Sequence, residues 1–362
     1  MSLVRLELQN IRNISSVSLD LDRKLNLFVG SNGSGKTSLL EAVYFLGSAR
    51  SFRSLQLEPI IKHQQSDCTV FGVVNSGARD IKIGVHRGLN GSREIRVAGQ
   101  VQGKASVLAR EMPVLVLGPE TVDLLLSTPS TRRRFLNWGV FHMEPDFSDT
   151  WASVNRTLKQ RNELLKRQGS RTTELDIWTT RLVDLSELVH THRELYCNRL
   201  SAVFTAISSS LSGLQEVKCD YSRGWDAKRD LKAVLEDQLD SDLHRGFTQS
   251  GLHRADLKIS VAGHPVATVC SRGELKVLAW ALVLSQAELF SRVTGRQLIF
   301  LVDDLVSELD EAHRKRICQF LMKKEGQVLA TGLDREVLKA CWNKATAKVF
   351  HVERGHFTEE EN

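Results

Sequence analysis

Two short tracts, 273 positions apart, constrain this chain more than anything else in it. The first, Gly30-Ser31-Asn32-Gly33-Ser34-Gly35-Lys36-Thr37, fits the pattern G-x-x-x-x-G-K-[ST] and runs into Ser38. The apolar run Leu25–Val29 predicts a strand entering it, and Ser38–Leu46 predicts a helix leaving it. In that setting successive backbone N–H groups can wrap phosphates, and the helix N-terminus adds positive potential. Lys36 is placed to reach the β- and γ-phosphates, and Thr37 to ligate Mg2+. The second tract, Leu298-Ile299-Phe300-Leu301-Val302-Asp303-Asp304, reads as a buried strand ending in two carboxylates. Asp303 at the strand tip suits the Mg2+ shell, and Asp304 is placed to orient or deprotonate a water against the γ-phosphate. A minimal nucleoside triphosphatase needs far less chain between such tracts. The gap therefore predicts one nucleotide domain split by an insertion: a head of residues 1–128 plus 264–362, and an inserted domain of 129–263.

Composition excludes several alternatives. A hydrophobic share of 41% and a charged share of 25% are those of a folded globular chain. Cys68, Cys197, Cys219, Cys270, Cys318 and Cys341 are scattered and form no C-x-x-C pair. Reduced cytosolic thiols fit that pattern better than a disulfide framework or a zinc ribbon. The alternating start, Leu3-Val4-Arg5-Leu6-Glu7-Leu8, is not a signal peptide, and no apolar run approaches the 18 residues of a membrane span. The expectation is a cytoplasmic protein with no membrane partner.

Periodicity gives the layout. Leu3–Leu8 alternates as a strand does, and Cys68–Val101 has the short alternating runs and Gly/Asn punctuation of antiparallel hairpins. Met112–Leu117 is another apolar strand. Past Pro129 the period changes. Phe147, Trp151, Val154, Leu158 and Leu165 recur at helical spacing, as do Leu175, Trp178, Leu182, Leu185 and Val189 after a Gly169-Ser170 turn, with the second helix running to about Leu211. Two such helices are either core helices or an antiparallel two-helix arm. Beyond Gly263, Ser271–Phe290 predicts a helix, Gln297–Val302 a strand, Glu311–Leu321 a helix and Gln327–Thr331 a strand; Glu359–Glu361 reads as a frayed tail.

Ser271-Arg272-Gly273-Glu274 resembles the Ser-x-Gly-Gln signature of ABC-type ATPases. There the signature of one subunit caps the ATP held by the phosphate loop of another, with Ser271, Gly273 and a helix N-terminus facing the γ-phosphate. An ordinary Ser N-cap is the alternative. Ser307-Glu308-Leu309-Asp310 resembles the loop by which paired heads touch.

Across essentially its whole length the sequence resembles the RecF family of bacterial recombination mediators. The resemblance rests on Leu6–Asn13, the phosphate loop, Ala49-Arg50-Ser51-Phe52-Arg53-Ser54, Pro129–Leu136 with Trp138-Gly139 and Phe141-His142, and the Ser-Arg-Gly, Asp-Asp and Ser-Glu-Leu-Asp tracts. It implies an α/β, ABC-type P-loop ATPase head with an antiparallel β subdomain and an inserted α-helical domain carrying a short coiled-coil arm. It also implies an ATP-dependent homodimer that binds single-strand gaps or their duplex junctions. With RecR and RecO, it would help load RecA in repair, replication restart and SOS induction. ATP hydrolysis would be weak and DNA-stimulated, acting as a switch. Two departures stand out: Glu274 replaces the usual Gln, and no His follows Gln327–Thr331, where Thr331 is the nearest polar candidate for a switch residue.

The chain carries +6, of which +5 lies between Thr131 and Arg171, where nine basic residues face four acids. This cluster, led by Arg132, Arg133 and Arg134 and extended by Arg50 and Arg53, is the expected DNA surface, with a solvated helix face as the alternative. No base-reading motif accompanies it, so structure and charge, not sequence, would be recognised. A transporter's nucleotide-binding subunit is disfavoured by the 235 positions from Lys36 to Ser271, a long SMC-like protein by the short helical pair, and an appended nuclease by the roughly sixty residues beyond Asp303.

Overall fold

The computed structural model describes residues 1–54, 56, 58–77, 79–168, 170–343 and 345–360. They divide into two compact units: Met1–Val122 with Lys276–Val283 and Gly295–Asn362, and Asp123–Leu275 with Leu284–Thr294. Seams were expected at 128/129 and 263/264; the chain passes between the two units at 122/123, 275/276, 283/284 and 294/295. The helix Arg272–Thr294 contributes residues to both units.

Two six-stranded sheets build the first unit. One, in spatial order, is His356–Glu360, Lys348–Glu353, Leu25–Val29, Gln327–Gly332, Ile299–Val302 and Val114–Leu117. All its neighbours are parallel except the first pair, an antiparallel hairpin. The other is antiparallel throughout: Ile14–Asp20, Ser2–Ile11, Asp67–Asn75, Asp80–Gly88, Arg93–Val97 and Gln100–Val101. The helix Lys36–Ser48 lies between them. A Cβ on Gly47 would stand 2.8 Å from the Met112 carbonyl at the parallel sheet, and one on Gly72 of the antiparallel sheet would stand 2.6 Å from Leu46. A helix covered on both sides must be apolar nearly all round, and Leu39, Leu40, Ala42, Val43, Phe45 and Leu46 are all buried. Gln327 ties the sheets together at one end. Its side chain accepts from Leu3 N at 2.7 Å and donates to the carbonyls of Leu3 at 2.8 Å and Asp22 at 2.7 Å.

The second unit is mainly helical. Phe147–Gln168 packs against the 40-residue helix Thr173–Ser212, which starts on a Thr172 side-chain cap and stops at Gly213 with φ 74°. Both helices match their expected spans; of the turn between them, Gly169 lies outside the described residues. The pair is not a bare arm. Its long helix also packs on Pro129–Met143, on Leu231–Asp237 and on a three-stranded sheet, Val217–Ser222, Asp256–Val261 and His264–Pro265, that periodicity did not predict. Gly139 allows a close approach to the long helix, because a Cβ there would sit 2.1 Å from the Tyr196 ring. The Tyr196 hydroxyl accepts from the Gln286 amide at 2.8 Å, and burial pushes its pKa up.

The tail expected at Glu359–Glu361 is ordered as far as Glu360, in the edge strand His356–Glu360; Glu361 lies outside the described residues. Among the described residues no helix is long and apolar enough to cross a membrane, and all six cysteines are free thiols.

Candidate functional site

The phosphate loop hangs between the buried strand Leu25–Val29 and the helix Lys36–Ser48. Gly33 and Gly35 have φ of 76° and 122°, conformations that L side chains rarely adopt. Gly30 is required for a different reason: a Cβ there would fall 2.1 Å from the Val352 carbonyl of the adjoining strand. Gly35 offers the helix no side-chain cap, so its first N–H groups remain available to an anion. The Ser34 hydroxyl is buried and has no hydrogen-bond partner. Lys36 folds over the loop, donating to the carbonyls of Gly30 at 2.7 Å and Ser31 at 2.8 Å. Burial depresses its pKa, against the pull of Asp304 and Asp303.

Position 303 comes to the loop because the strand Ile299–Val302 ends beside it. Asp303 is 5% exposed, and its two carboxylate oxygens each lie 3.0 Å from the Thr37 hydroxyl. Burial raises its pKa; hydrogen bonds from Thr331 and Thr37 oppose that shift. Thr331, fully buried, donates to Asp303 Oδ1 at 2.7 Å and accepts the Asp304 N–H at 2.9 Å, so one hydroxyl fixes both acids. Asp304 adopts φ 51°, ψ 44° and caps the short helix Leu305–Glu308, while its Oδ1 accepts the Ser307 hydroxyl at 2.8 Å. A non-glycine residue held in that region is strained, and such strain concentrates at functional positions.

Around these groups lies a cavity of about 730 Å3. Asn32, Gly33, Gly35, Lys36, Thr37, Ser38, Asp303, Asp304 and Thr331 line it, as the motifs lead one to expect. So do Arg12 and Asn13, from the Leu6–Asn13 tract to which no site role was given, and residues no motif singled out, among them Lys62, His63, Gln64 and Gln65. Asn13 donates to the Gly33 carbonyl at 3.2 Å. Arg12 and Gln64 have φ of 54° and 67°, conformations no residue pattern announces. The donor set suits the cofactor pair. An orphaned Ser34 hydroxyl, a lysine and an uncapped helix N-terminus fit a polyphosphate, and the hard oxygens of Thr37 and Asp303 fit Mg2+.

Other expected residues lie elsewhere. Ser271 and Gly273 belong to the second unit and are not among the residues lining this cavity. Both are exposed at the start of Arg272–Thr294. Ser271 and Glu274 form a reciprocal cap: Ser271 N donates to Glu274 Oε2 at 2.7 Å, and Ser271 Oγ accepts Glu274 N at 3.3 Å. Those bonds hold the Glu274 carboxyl below its usual pKa and turn its charge onto the cap.

The arginines expected to contact DNA divide. Arg132 is mostly buried in a bidentate pair with Asp256, at 2.7 and 3.0 Å, and also reaches the Ser127 carbonyl. Arg133 donates to the Ala255 carbonyl at 2.8 Å. These two fasten the Pro129–Met143 helix to the small sheet, and Arg134 alone of the three is exposed. Arg161 is fully buried against Asp242 and Thr248. Arg50 is exposed, whereas Arg53 lines the nucleotide cavity, 3.8 Å from Glu41. The basic surface on this unit is therefore narrower than the residue count suggests. Arg156, Lys159 and Lys166 are exposed on the Phe147–Gln168 helix; Arg167 and Arg171 are exposed but pair with Glu163 and Asp176.

A phosphate loop on a mainly parallel sheet, with an antiparallel sheet behind it and an inserted helical unit, defines the head of an ABC-type, SMC-like ATPase. The comparisons with known proteins then narrow the class. The family model described as the RecF/RecN/SMC N terminal domain matches residues 2–358. The DNA replication and repair protein RecF of Cellvibrio japonicus is 42% identical over 359 residues, covering 98% of each chain. That of Shewanella woodyi is 42% identical over 358 residues, covering 99% of this chain and 98% of its own. The chain belongs to the RecF family. A solved structure of the recombination mediator protein RecF with ATP superposes with a TM-score of 0.90 at 26% identity, covering 99% of this chain and 98% of that one. An SMC head bound to the C-terminal winged-helix domain of ScpA, at 14% identity and a TM-score of 0.57, shares the fold.

Proposed function

We propose that this protein is an ATP-driven, DNA-binding recombination mediator that dimerises on ATP. The observation carrying the reading is the convergence of Lys36, Thr37 and Asp303 in one cavity, on a loop whose Ser34 hydroxyl is buried and unpartnered. Ser31–Ser38 would hold the phosphates, with Lys36 moving from the Gly30 and Ser31 carbonyls to the β- and γ-phosphates. Thr37 and Asp303 would hold Mg2+, which neutralises phosphate charge when bound. Asp304, kept at its strained φ by the Thr331 bond, orients or deprotonates the attacking water. Hydrolysis is slow and serves as a release clock.

Ser271 and Gly273 of one copy face the nucleotide of a second copy. Because Glu274 is bound to Ser271 N, the Ser271 hydroxyl keeps its own proton for the γ-phosphate. Nucleotide thereby supplies the differential affinity that favours the dimer. DNA is held through phosphates by Arg134, Arg156, Lys159 and Lys166, with Arg50 as a further candidate on the first unit; single-strand gaps and their duplex junctions are the substrate. RecR and RecO are the partners, RecA loading the outcome, and the cytoplasm the location.

Two substitutions test this. Lys36→Ala abolishes ATP binding in an equilibrium titration; unchanged affinity refutes the phosphate-loop assignment. Ser271→Arg leaves ATP binding by the single chain intact and prevents ATP-dependent dimerisation in light scattering; a variant that dimerises normally refutes the capping role.

A further inference from the structure

Glu41 is a fully buried carboxylate on the phosphate-loop helix, one turn beyond Thr37 and on the same face. Such a charge is costly to bury unless it is paired and hydrogen-bonded, and this one is heavily engaged. The Arg12 guanidinium binds it in a fork, Nε to Oε2 at 2.8 Å and Nη2 to Oε1 at 2.7 Å. The Ser51 hydroxyl donates to Oε1. Arg53 Nη1 stands 3.8 Å from Oε2.

Both arginines line the nucleotide cavity, and Arg53 is near enough to Asp303 to pull its pKa down against the effect of burial. One carboxylate thus gathers two guanidinium groups, leaving a net positive charge where polyphosphate would lie. The backbone around Arg12 is held as firmly as its side chain. Arg12 N donates to the Ile60 carbonyl at 2.9 Å, Lys62 N donates to the Asn10 carbonyl at 2.9 Å, and Arg12 itself sits at φ 54° in the two-residue turn between the first two strands. The favoured two-residue hairpin turns call for a positive φ at their first position, and holding an arginine there costs about 1–3 kcal/mol.

We infer that Glu41 is a positioning residue: it aims Arg12 and Arg53 at the polyphosphate and so sets how strongly the site prefers a triphosphate over a diphosphate. This rests on the ATP reading above and deepens it. The two arginines divide the work. The forked pair fixes Arg12 in direction, as bidentate carboxylate–guanidinium pairs do. The longer approach leaves Arg53 shared between Glu41 and the cavity, so an added phosphate can draw it over. Ser51 and Arg53 carry the segment Ala49–Ser54 with them, which couples the terminal phosphate to the exposed Arg50.

The test is titration of the full chain with Mg2+-ATPγS and with Mg2+-ADP. Glu41→Gln keeps the shape and removes the charge. It weakens ATPγS about tenfold, on the scale of a single charge-assisted hydrogen bond, and leaves ADP within about twofold. Arg12→Gln reproduces the selective weakening, and the triple variant E41Q/R12Q/R53Q binds no more weakly than R12Q/R53Q, because Glu41 acts through the two arginines. Equal weakening for both nucleotides, an unchanged ratio in E41Q, or an unchanged ratio in R12Q beside a changed one in E41Q would each overturn the inference. If E41Q does not fold, R12Q and R53Q decide on the same ratio, since their side chains are partly exposed: a selective weakening of ATPγS supports the inference and an unchanged ratio overturns it. Failure of the ATP reading looks different. There the wild-type chain binds neither nucleotide, or Lys36→Ala binds both as well as wild type does.

Discussion

Thr331→Val removes one hydroxyl and almost nothing else, yet that hydroxyl holds both acids of the nucleotide site. It donates to Asp303 at 2.7 Å and accepts the Asp304 N–H at 2.9 Å, in a position with no solvent exposure. Valine is nearly isosteric, so the packing term is small. A hydrogen bond to a carboxylate contributes about 1.5–3 kcal/mol, and stranding a buried N–H costs about 1–3 kcal/mol. Because the Asp304 amide is only partly buried, the lower ends apply, and the variant should lose about 2.5 kcal/mol in unfolding of the first unit. Thr331→Ser is the control. It keeps both bonds and drops one methyl, which costs about 1 kcal/mol. Urea unfolding followed by tryptophan fluorescence reads the difference, with Trp280 and Trp342 both buried in this unit. Without the bridge Asp304 also loses the bond that supports its φ of 51°, so ATP turnover falls further in T331V than ATP binding does. A cost for T331V below about 0.5 kcal/mol, within the scatter of neutral substitutions, or a T331S variant as unstable as T331V, refutes the bridge.

The remaining expectations concern the second unit. Arg132→Gln leaves Asp256 partly buried without its partner and lowers stability by about 2–4 kcal/mol, with DNA affinity unchanged once folding is restored by temperature. Arg134→Gln combined with Lys159→Gln has the opposite signature: native melting, weaker DNA binding, and a salt slope flattened by about 0.9 for each phosphate no longer neutralised. Gly139→Ala drives a methyl into the Tyr196 ring and costs about 1–3 kcal/mol, read by thermal melting. His253 gives a pH dependence. Burial, then Arg254 and Arg133, push its pKa below the usual 6.5, opposed by its bond to the Thr248 carbonyl at 2.9 Å. The unfolded chain therefore takes up a proton first, so the unit loses stability as pH falls below about 6.5 and regains it on return to neutrality. His253→Gln flattens that slope in pH-dependent melting; a slope as steep as the wild type's refutes the assignment.

How far the sequence could be read follows from what each feature demands of the chain. The phosphate loop and the strand ending at Asp303 were legible because chemistry ties them to a fixed local pattern of glycines, a lysine and an apolar run. The paired helices were legible because a 40-residue helix repeats its buried positions many times over. The small sheet packed on them was not, since its strands are only two to six residues long and the first lies over thirty positions from the other two. The partners of the charge cluster were not legible for a related reason. Residue counts cannot tell an arginine in solution from one facing a buried acid, and the partners of Arg132 and Arg161, Asp256 and Asp242, lie 124 and 81 positions away. Both acids fall outside the Thr131–Arg171 window, so the window's net charge reports where the arginines are and not where the field is. Arg53 shows the converse. Its neighbour Glu41 is close in sequence, but only the turn of the phosphate-loop helix brings the two beside the same cavity. A cation's role is set by the nearest carboxylate in space, so for this family basic residues should be weighed as DNA contacts only after the buried acids have been matched to their partners.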